Sequence, residues 1–224
     1  MLTETSPVAQ IEGAARRWVC LDVGETLIDE TRVWSVWADV LGIPRLTLMA
    51  AVGATIVQNR ELDTAFSLLG VPDWRTRIPE VDARYQGFQR QDLYPDALPA
   101  LAALAAAGYG VAVIANQPAH RHGELAALGV DPEVMAMSEA MGVAKPDPAF
   151  FIEALRLLGG ADPADVAYVG DRTDNDVVPA AAAGLRPVRI RRGPWGLLQG
   201  DPDGLAVLTV PSLDELVARI DEAW

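Results

Sequence analysis

The chain has 224 residues, half of them hydrophobic and 22% charged, which excludes a disordered polymer and allows one domain with an insertion or two small ones. Its 18 Lys and Arg against 31 Asp and Glu leave a net charge of −13, which repels phosphate backbones and anionic lipids, so nucleic acid and membrane surfaces are poor partners. The single cysteine, Cys20, excludes an internal disulfide and a Cys-rich zinc site and fits a reducing, cytoplasmic setting.

The opening MLTETSPVAQ lacks the basic and apolar regions of an export signal. A first strand is expected at Trp18–Leu21. From about Glu30 to Leu93 no strand pattern occurs, and TRVWSVWADVL and RLTLMAAVGATIVQNRELDTAFSLL read as helices. Next come a helix at Leu98–Ala107, a strand at Val111–Ala115, a helix at Arg121–Leu128 and a strand at Val134–Met137. A helix at Pro148–Leu158, a strand at Val166–Val169 and a helix at Asp176–Ala183 follow. Strands at Val188–Ile190 and Ala206–Thr209 and a helix at Leu213–Ala223 complete the order. The uncharged stretch Ala97–Ala115 imitates a membrane span, but Gly108-Tyr109-Gly110 cuts it into a helix and a strand, so a soluble protein is expected.

Apolar strands alternating with helices imply right-handed crossovers and an α/β fold. The expected architecture is a Rossmann-like, doubly wound parallel sheet with an inserted all-α cap. The core takes residues 15–29 and 94–224, and the cap takes 30–93. No signal selects a monomer over a homodimer.

In open α/β sheets ligands lie beyond the carboxyl ends of the strands, so the polar residue after each strand matters most. Asp22 follows WVCL, and Asn116 follows VAVIA. Lys145 comes shortly after VMAM, and Asp171 follows VAYVG with Asp176 five residues on. Each has an ordinary reading as a cap, a turn or a solvated loop residue. Together, at one sheet edge, carboxylates to hold Mg²⁺ and a cation and amide to hold an anion's oxygens point to an anion-and-metal site.

The four segments, in this order, resemble the haloacid dehalogenase superfamily, whose members are mostly Mg²⁺-dependent phosphatases. The family's Asp-x-Asp-x-Thr is matched by Asp22, Gly24 and Thr26, and its Ser/Thr-Asn by Ala115-Asn116. Its lysine is matched by Lys145 in KPDPAFF, and its acidic pair by Asp171 and Asp176. The resemblance implies that Asp22 attacks phosphorus and becomes an aspartyl-phosphate. It implies Mg²⁺ held by Asp22, the Gly24 carbonyl and Asp171, with Asp176 supporting them and Thr26 bracing the loop. Lys145, with Asn116, would bind the phosphoryl oxygens, and Lys145 would also hold Asp22 in place.

Two positions depart from that pattern. The family's phosphatases use the second Asp of motif one as acid and base; here it is Gly24, and losing such a group typically costs about 10²–10⁴ in rate. Glu25 is the neighbouring carboxylate and the candidate substitute for it, although the next side chain along a loop normally points elsewhere. Ala115 removes a hydroxyl donor. The reading is therefore a Mg²⁺-dependent phosphatase of a small phosphorylated molecule, weakened at Gly24 and Ala115. Its rivals are a phosphate- or metal-binding regulatory protein without catalysis and a metal-free dehalogenase. Lys145 is the only lysine, which removes a cap-lysine mechanism. His120 and His122 read as a solvated helix start, and Arg189 to Gly193 as surface charge. Trp34 and Trp37 read as cap core, and Trp37 and Tyr85 as positions through which the cap influences selectivity.

Overall fold

Among the described residues six short strands set the architecture: β1 (Trp18–Leu21), β2 (Gly110–Ala115), β3 (Val134–Met137), β4 (Val166–Gly170), β5 (Arg186–Ile190) and β6 (Leu208–Val210). They form one parallel sheet in the order β3-β2-β1-β4-β5-β6. The computed structural model describes residues 16–201 and 203–224, and MLTETSPVAQ lies outside them. The first strand is central, with Leu21 in register with Val113 and Val169. The chain order therefore reverses on either side of β1, which is where such sheets bind ligands.

The eleven α-helices among the described residues are α1 (Thr31–Leu41), α2 (Arg45–Val57), α3 (Asp63–Leu68), α4 (Ile78–Tyr85), α5 (Ala97–Ala106), α6 (Arg121–Ala127), α7 (Ser138–Met141), α8 (Pro148–Leu157), α9 (Val178–Ala182), α10 (Gly193–Leu198) and α11 (Leu213–Arg219). Alternation along the strands sends side chains to two apolar layers. On one face Val19, Leu21, Val111, Val113 and Val169 pack with Leu104 of α5 and Leu216 of α11. On the other, Cys20, Ile114 and Tyr168 pack with Phe150 and Phe151 of α8. Both faces are covered, which is why these strands lack polar alternation.

The long apolar pattern expected to run as helix from Arg45 to Leu69 breaks after Val57, where Asn59 takes a positive φ of 51°. Helices α1 to α4 make an all-α cap with its own cluster of Leu48, Val52, Ile56 and Phe66, into which Trp195 of α10 inserts. Trp37 belongs to that cluster, edge-on to Trp74 at 5.1 Å, and Phe66 stacks on Trp74 at 4.3 Å. The chain enters and leaves the cap through two paired segments. Ile28 bridges Leu93, the Asp29 N–H donates to the Asp92 carbonyl at 2.7 Å, and the Tyr94 N–H donates to Leu27 at 2.9 Å. Arg32 clamps them with a bidentate pair to Asp92 at 2.8 and 2.5 Å and a bond to the Tyr85 carbonyl at 2.7 Å.

Among the described residues no single helix is long and apolar enough to cross a membrane; the stretch from Ala97 to Ala115 divides into α5 and β2. The last strand sits two residues further along than its Ala-Val start suggests. The reading of Arg189 to Gly193 as surface charge is corrected at Arg189 and Arg192, while Arg191 is exposed. Arg189 is 7% exposed and donates to the carbonyls of Gly196 and Gln199, and Arg192 is 9% exposed. Arg192 pairs with buried Asp96 and donates to the Thr26 carbonyl at 3.1 Å. Asp96 in turn accepts the Leu213 N–H at 2.9 Å at the start of α11. This one guanidinium joins the loop after β1 to the starts of two helices. Replacing Arg192 with Met is expected to leave Asp96 unpaired and to cost about 3–5 kcal/mol in urea unfolding; an unchanged midpoint and slope would show the pair to be dispensable.

Candidate active site

The loop after β1 is a tight knot. The N–H groups of Thr26, Leu27 and Ile28 converge on the Val23 carbonyl at 3.3, 2.9 and 2.9 Å, and the apolar side chains of Val23, Leu27 and Ile28 are fully buried beneath it. Asp22 extends the strand, its N–H donating to the Val169 carbonyl at 2.9 Å. Thr26 is wholly buried and its hydroxyl makes no hydrogen bond; its part in the loop is through its backbone.

Asn116, at the end of β2, does not aim its amide at open space. It accepts the Lys145 N–H and donates to the Lys145 carbonyl, both at 2.8 Å, and so fixes the backbone that carries the lysine. The Lys145 side chain has no exposure. Its ammonium lies 2.9 Å from Asp22 Oδ1 and 2.6 Å from Asp176 Oδ1, with the faces of Tyr168 and Phe150 5.1 and 5.7 Å away. Burial alone would lower its pKa, but Asp176 and Asp22 outweigh it and hold the lysine above its ordinary value.

After β4 the chain makes a wide π-helical turn, Thr173–Val177, before α9 begins, where a plain helix from Asp176 was expected. Such turns cluster at functional sites. This one swings Asp176 back so that its Oδ2 accepts the Arg172 N–H at 2.9 Å while Oδ1 holds Lys145. The approach requires Gly170, where an added Cβ would lie 2.3 Å from Asp176 Oδ2.

Asp22, Asp171 and Asp176 each bring a carboxylate oxygen within 4.8 Å of the others. Three carboxylates and one ammonium leave two negative charges, the charge of one divalent cation. Asp171 is 3% exposed, and among the described residues its carboxylate has no hydrogen bond or ion pair, unlike both its neighbours. Burial, then the charges of Asp176 and Asp22, pushes its carboxyl well above the usual range when no cation is present. Among the described residues the Gly24 carbonyl also accepts no backbone bond. An uncompensated buried carboxylate and a free carbonyl beside Asp22 are hard oxygen ligands of the kind that suit Mg²⁺. Asp176, with both oxygens engaged, supports them.

Above these groups lies a cleft of about 370 Å³, walled on the cap side by Glu30, Trp34 and Leu62 and on the other by Arg172 and Trp195. None of these five was selected by reading strand ends, because they come from the cap, from α10 or from the residue after Asp171. Trp34 is thus a cleft wall and not only cap core. Trp37 and Tyr85 are corrected in the opposite sense: Trp37 packs within the cap, and Tyr85 is 1% exposed beneath Arg32. Glu25 is turned aside, its carboxylate accepting the Tyr94 hydroxyl at 2.5 Å and the Glu30 N–H at 3.2 Å. Burial, followed by the charges of Glu25 and Asp22, raises the Glu30 pKa to about 7. His120 and His122 are exposed at the start of α6, away from the one metal-competent cluster among the described residues.

The profile of the haloacid dehalogenase-like hydrolases matches residues 16–184. The chain belongs to that family. A glyceraldehyde 3-phosphate phosphatase of Methanopyrus kandleri is 41% identical over 105 residues, 46% of this chain and 45% of the relative. A phosphoserine phosphatase of Thermus thermophilus is 33% identical over 150 residues, 66% of this chain and 58% of the relative. The chain thus spans about half the length of the curated relatives it matches. An L-2-haloacid dehalogenase of Xanthobacter autotrophicus, solved with chloropropionic acid covalently bound, superposes with a TM-score of 0.64 at 19% identity, covering 92% of this chain and 98% of that one. That likeness is one of fold.

Two outcomes are expected from these contacts. Asp171→Asn is expected to weaken Mg²⁺ binding at least about tenfold in calorimetric titration with the fold intact; equal affinity in both proteins would remove the metal site. Trp37→Ala is expected to lower stability by about 3–5 kcal/mol, whereas Trp34→Ala is expected to change which small molecules the cleft binds. Selectivity profiles that respond equally to both would show that the wall at Trp34 has no special role.

Proposed function

We propose that the protein is a Mg²⁺-dependent phosphatase of a small phosphorylated metabolite, working through an aspartyl-phosphate on Asp22. The observation that carries this reading is the buried carboxylate Asp171, left without a partner beside Asp22 and Lys145. A dehalogenase, which works without metal, has no use for that charge. The phosphatase names of the curated relatives support the same choice, and the cleft volume of about 370 Å³ suits a small ester. A reducing, cytoplasmic setting agrees with the single cysteine, Cys20, which is buried.

In this reading Asp22, the Gly24 carbonyl and Asp171 would hold Mg²⁺, which would supply positive charge to offset repulsion between the Asp22 carboxylate and the phosphoryl oxygens. The Asp22 carboxylate attacks phosphorus, the bond to the ester oxygen breaks, and the leaving oxygen takes up a proton. Water then attacks phosphorus, the acyl–phosphate bond breaks, and inorganic phosphate leaves with Asp22 restored. Lys145 orients Asp22 through the 2.9 Å contact and neutralises charge on the phosphoryl oxygens. Asn116 contributes through the Lys145 backbone that it clamps.

The test is rapid-quench kinetics with an aryl phosphate, with and without Mg²⁺. A burst of aryl alcohol equal to the enzyme concentration is expected, dependent on Mg²⁺ and lost in Asp22→Asn. Halide release from 2-haloacids without metal would favour the dehalogenase. Phosphate binding with no turnover of any ester would favour the regulatory protein.

A further inference from the structure

The position that looks like a loss in the sequence is filled in the structure. A Cβ built on Gly24 would lie 2.5 Å from Glu30 Oε1, 3.1 Å from Glu30 Cδ and 3.8 Å from Oε2. An aspartate's own carboxylate oxygens lie about 2.4 Å from its Cβ. Glu30 Oε1 therefore stands as far from position 24 as an oxygen of an aspartate side chain there would stand. We propose that Glu30, the first residue of the cap, supplies the carboxyl group that acts as acid and then base in place of a side chain at Gly24.

Three further observations fit. Glu30 faces the same cleft as Asp22, Lys145 and Asp171, and it forms no ion pair among the described residues. Glu25, the competing carboxylate, is held by Tyr94 and by the Glu30 backbone itself. The segment carrying Glu30 is also fixed: the Asp29 N–H bonds to Asp92, Asp29 Oδ1 accepts the Thr31 N–H at 2.8 Å, and the Glu30 carbonyl accepts the Trp34 N–H at 3.1 Å. The absence of a side chain at 24 leaves room for this carboxyl, which a Cβ there would push aside. Gly24 lies outside the left-handed region, so its role is space and not backbone freedom.

The role rests on the aspartyl-phosphate reading. As the phosphorus–ester bond breaks, the Glu30 carboxyl passes its proton to the leaving oxygen and becomes a carboxylate. As water attacks the acyl-phosphate, that carboxylate takes the water proton, and inorganic phosphate departs with Glu30 protonated again. The active centre is then shared between core and cap, with the nucleophile on one and the proton carrier on the other.

The experiment compares the parent protein with Glu30→Gln, Glu30→Ala and the double variant Gly24→Asp/Glu30→Ala, each checked for folding by circular dichroism. Alkyl and aryl phosphates are assayed side by side. Glu30→Gln is expected to lose about 10²-fold or more with alkyl phosphates, whose alkoxides depart poorly without a proton, and clearly less in the burst step with aryl phosphates. The double variant, which moves the carboxyl to position 24, is expected to recover at least about tenfold over Glu30→Ala with alkyl phosphates. A folded Glu30→Gln that keeps parental turnover of alkyl phosphates would overturn this role while leaving the phosphatase reading standing. An equal loss with both leaving groups and no recovery in the double variant would do the same. A parent protein with neither burst nor turnover would overturn both.

Discussion

A lysine with no solvent exposure cannot keep its charge unless opposite charges are placed against it, and much of the molecule serves to place them. Lys145 meets that condition through Asp22 on β1 and Asp176 on the turn after β4. The three groups are far apart in sequence. They meet because β1 is central and the chain order reverses around it. Asn116 fixes the lysine backbone, and Gly170 lets Asp176 come close; the π-helical turn brings its carboxylate around. Two carboxylates satisfy the ammonium, and the third, Asp171, is left over. The ion pair therefore also leaves an unbalanced negative charge in the pocket.

Support for this arrangement comes from further out. Arg192 reaches from the end of β5 to the Thr26 carbonyl and to Asp96, so the loop bearing Asp22 is braced by a segment lying beyond residue 184, where the family match ends. Arg32 and Asp92 do the same for the two passages into the cap. Both braces are charged pairs with at least one buried member, and they join segments whose separation in the chain is 60 residues or more. Such pairs define geometry better than they add stability, since desolvation offsets much of their attraction.

The parts of this organisation that were legible in the sequence are local. Val-rich runs bounded by Gly, Asn and Asp mark the strands, and a polar residue after each apolar run marks Asp22, Asn116, Lys145 and Asp171. Partners separated by many residues were not legible. Arg189 and Arg192 look like surface charge because nothing nearby announces Asp96 or the carbonyls of α10. That helix was itself missed, being six residues long with two glycines and a proline. Trp34 and Trp37 lie one turn apart on α1, yet the sequence does not say which faces the cleft and which faces Trp74. Gly24 was legible as a missing carboxyl, whereas Glu30 was not legible as the group beside it, because periodicity carries no information on how a loop folds back across six residues.

The insertion of Trp195 into the cap cluster bears on molecular traffic. A cap swung clear of the core would uncover this indole, and a tryptophan hides on the order of 200 Å² of mostly apolar surface. At about 25 cal/mol per Å² full exposure would cost up to roughly 5 kcal/mol, which favours the docked form. Small molecules then exchange with solvent while the cap stays docked, with Leu62 of the cap and Gln117 of the core both lining the cleft. Whatever enters does so with Trp34 and Trp195 both in place, so the two indoles bound the size of what the cleft admits.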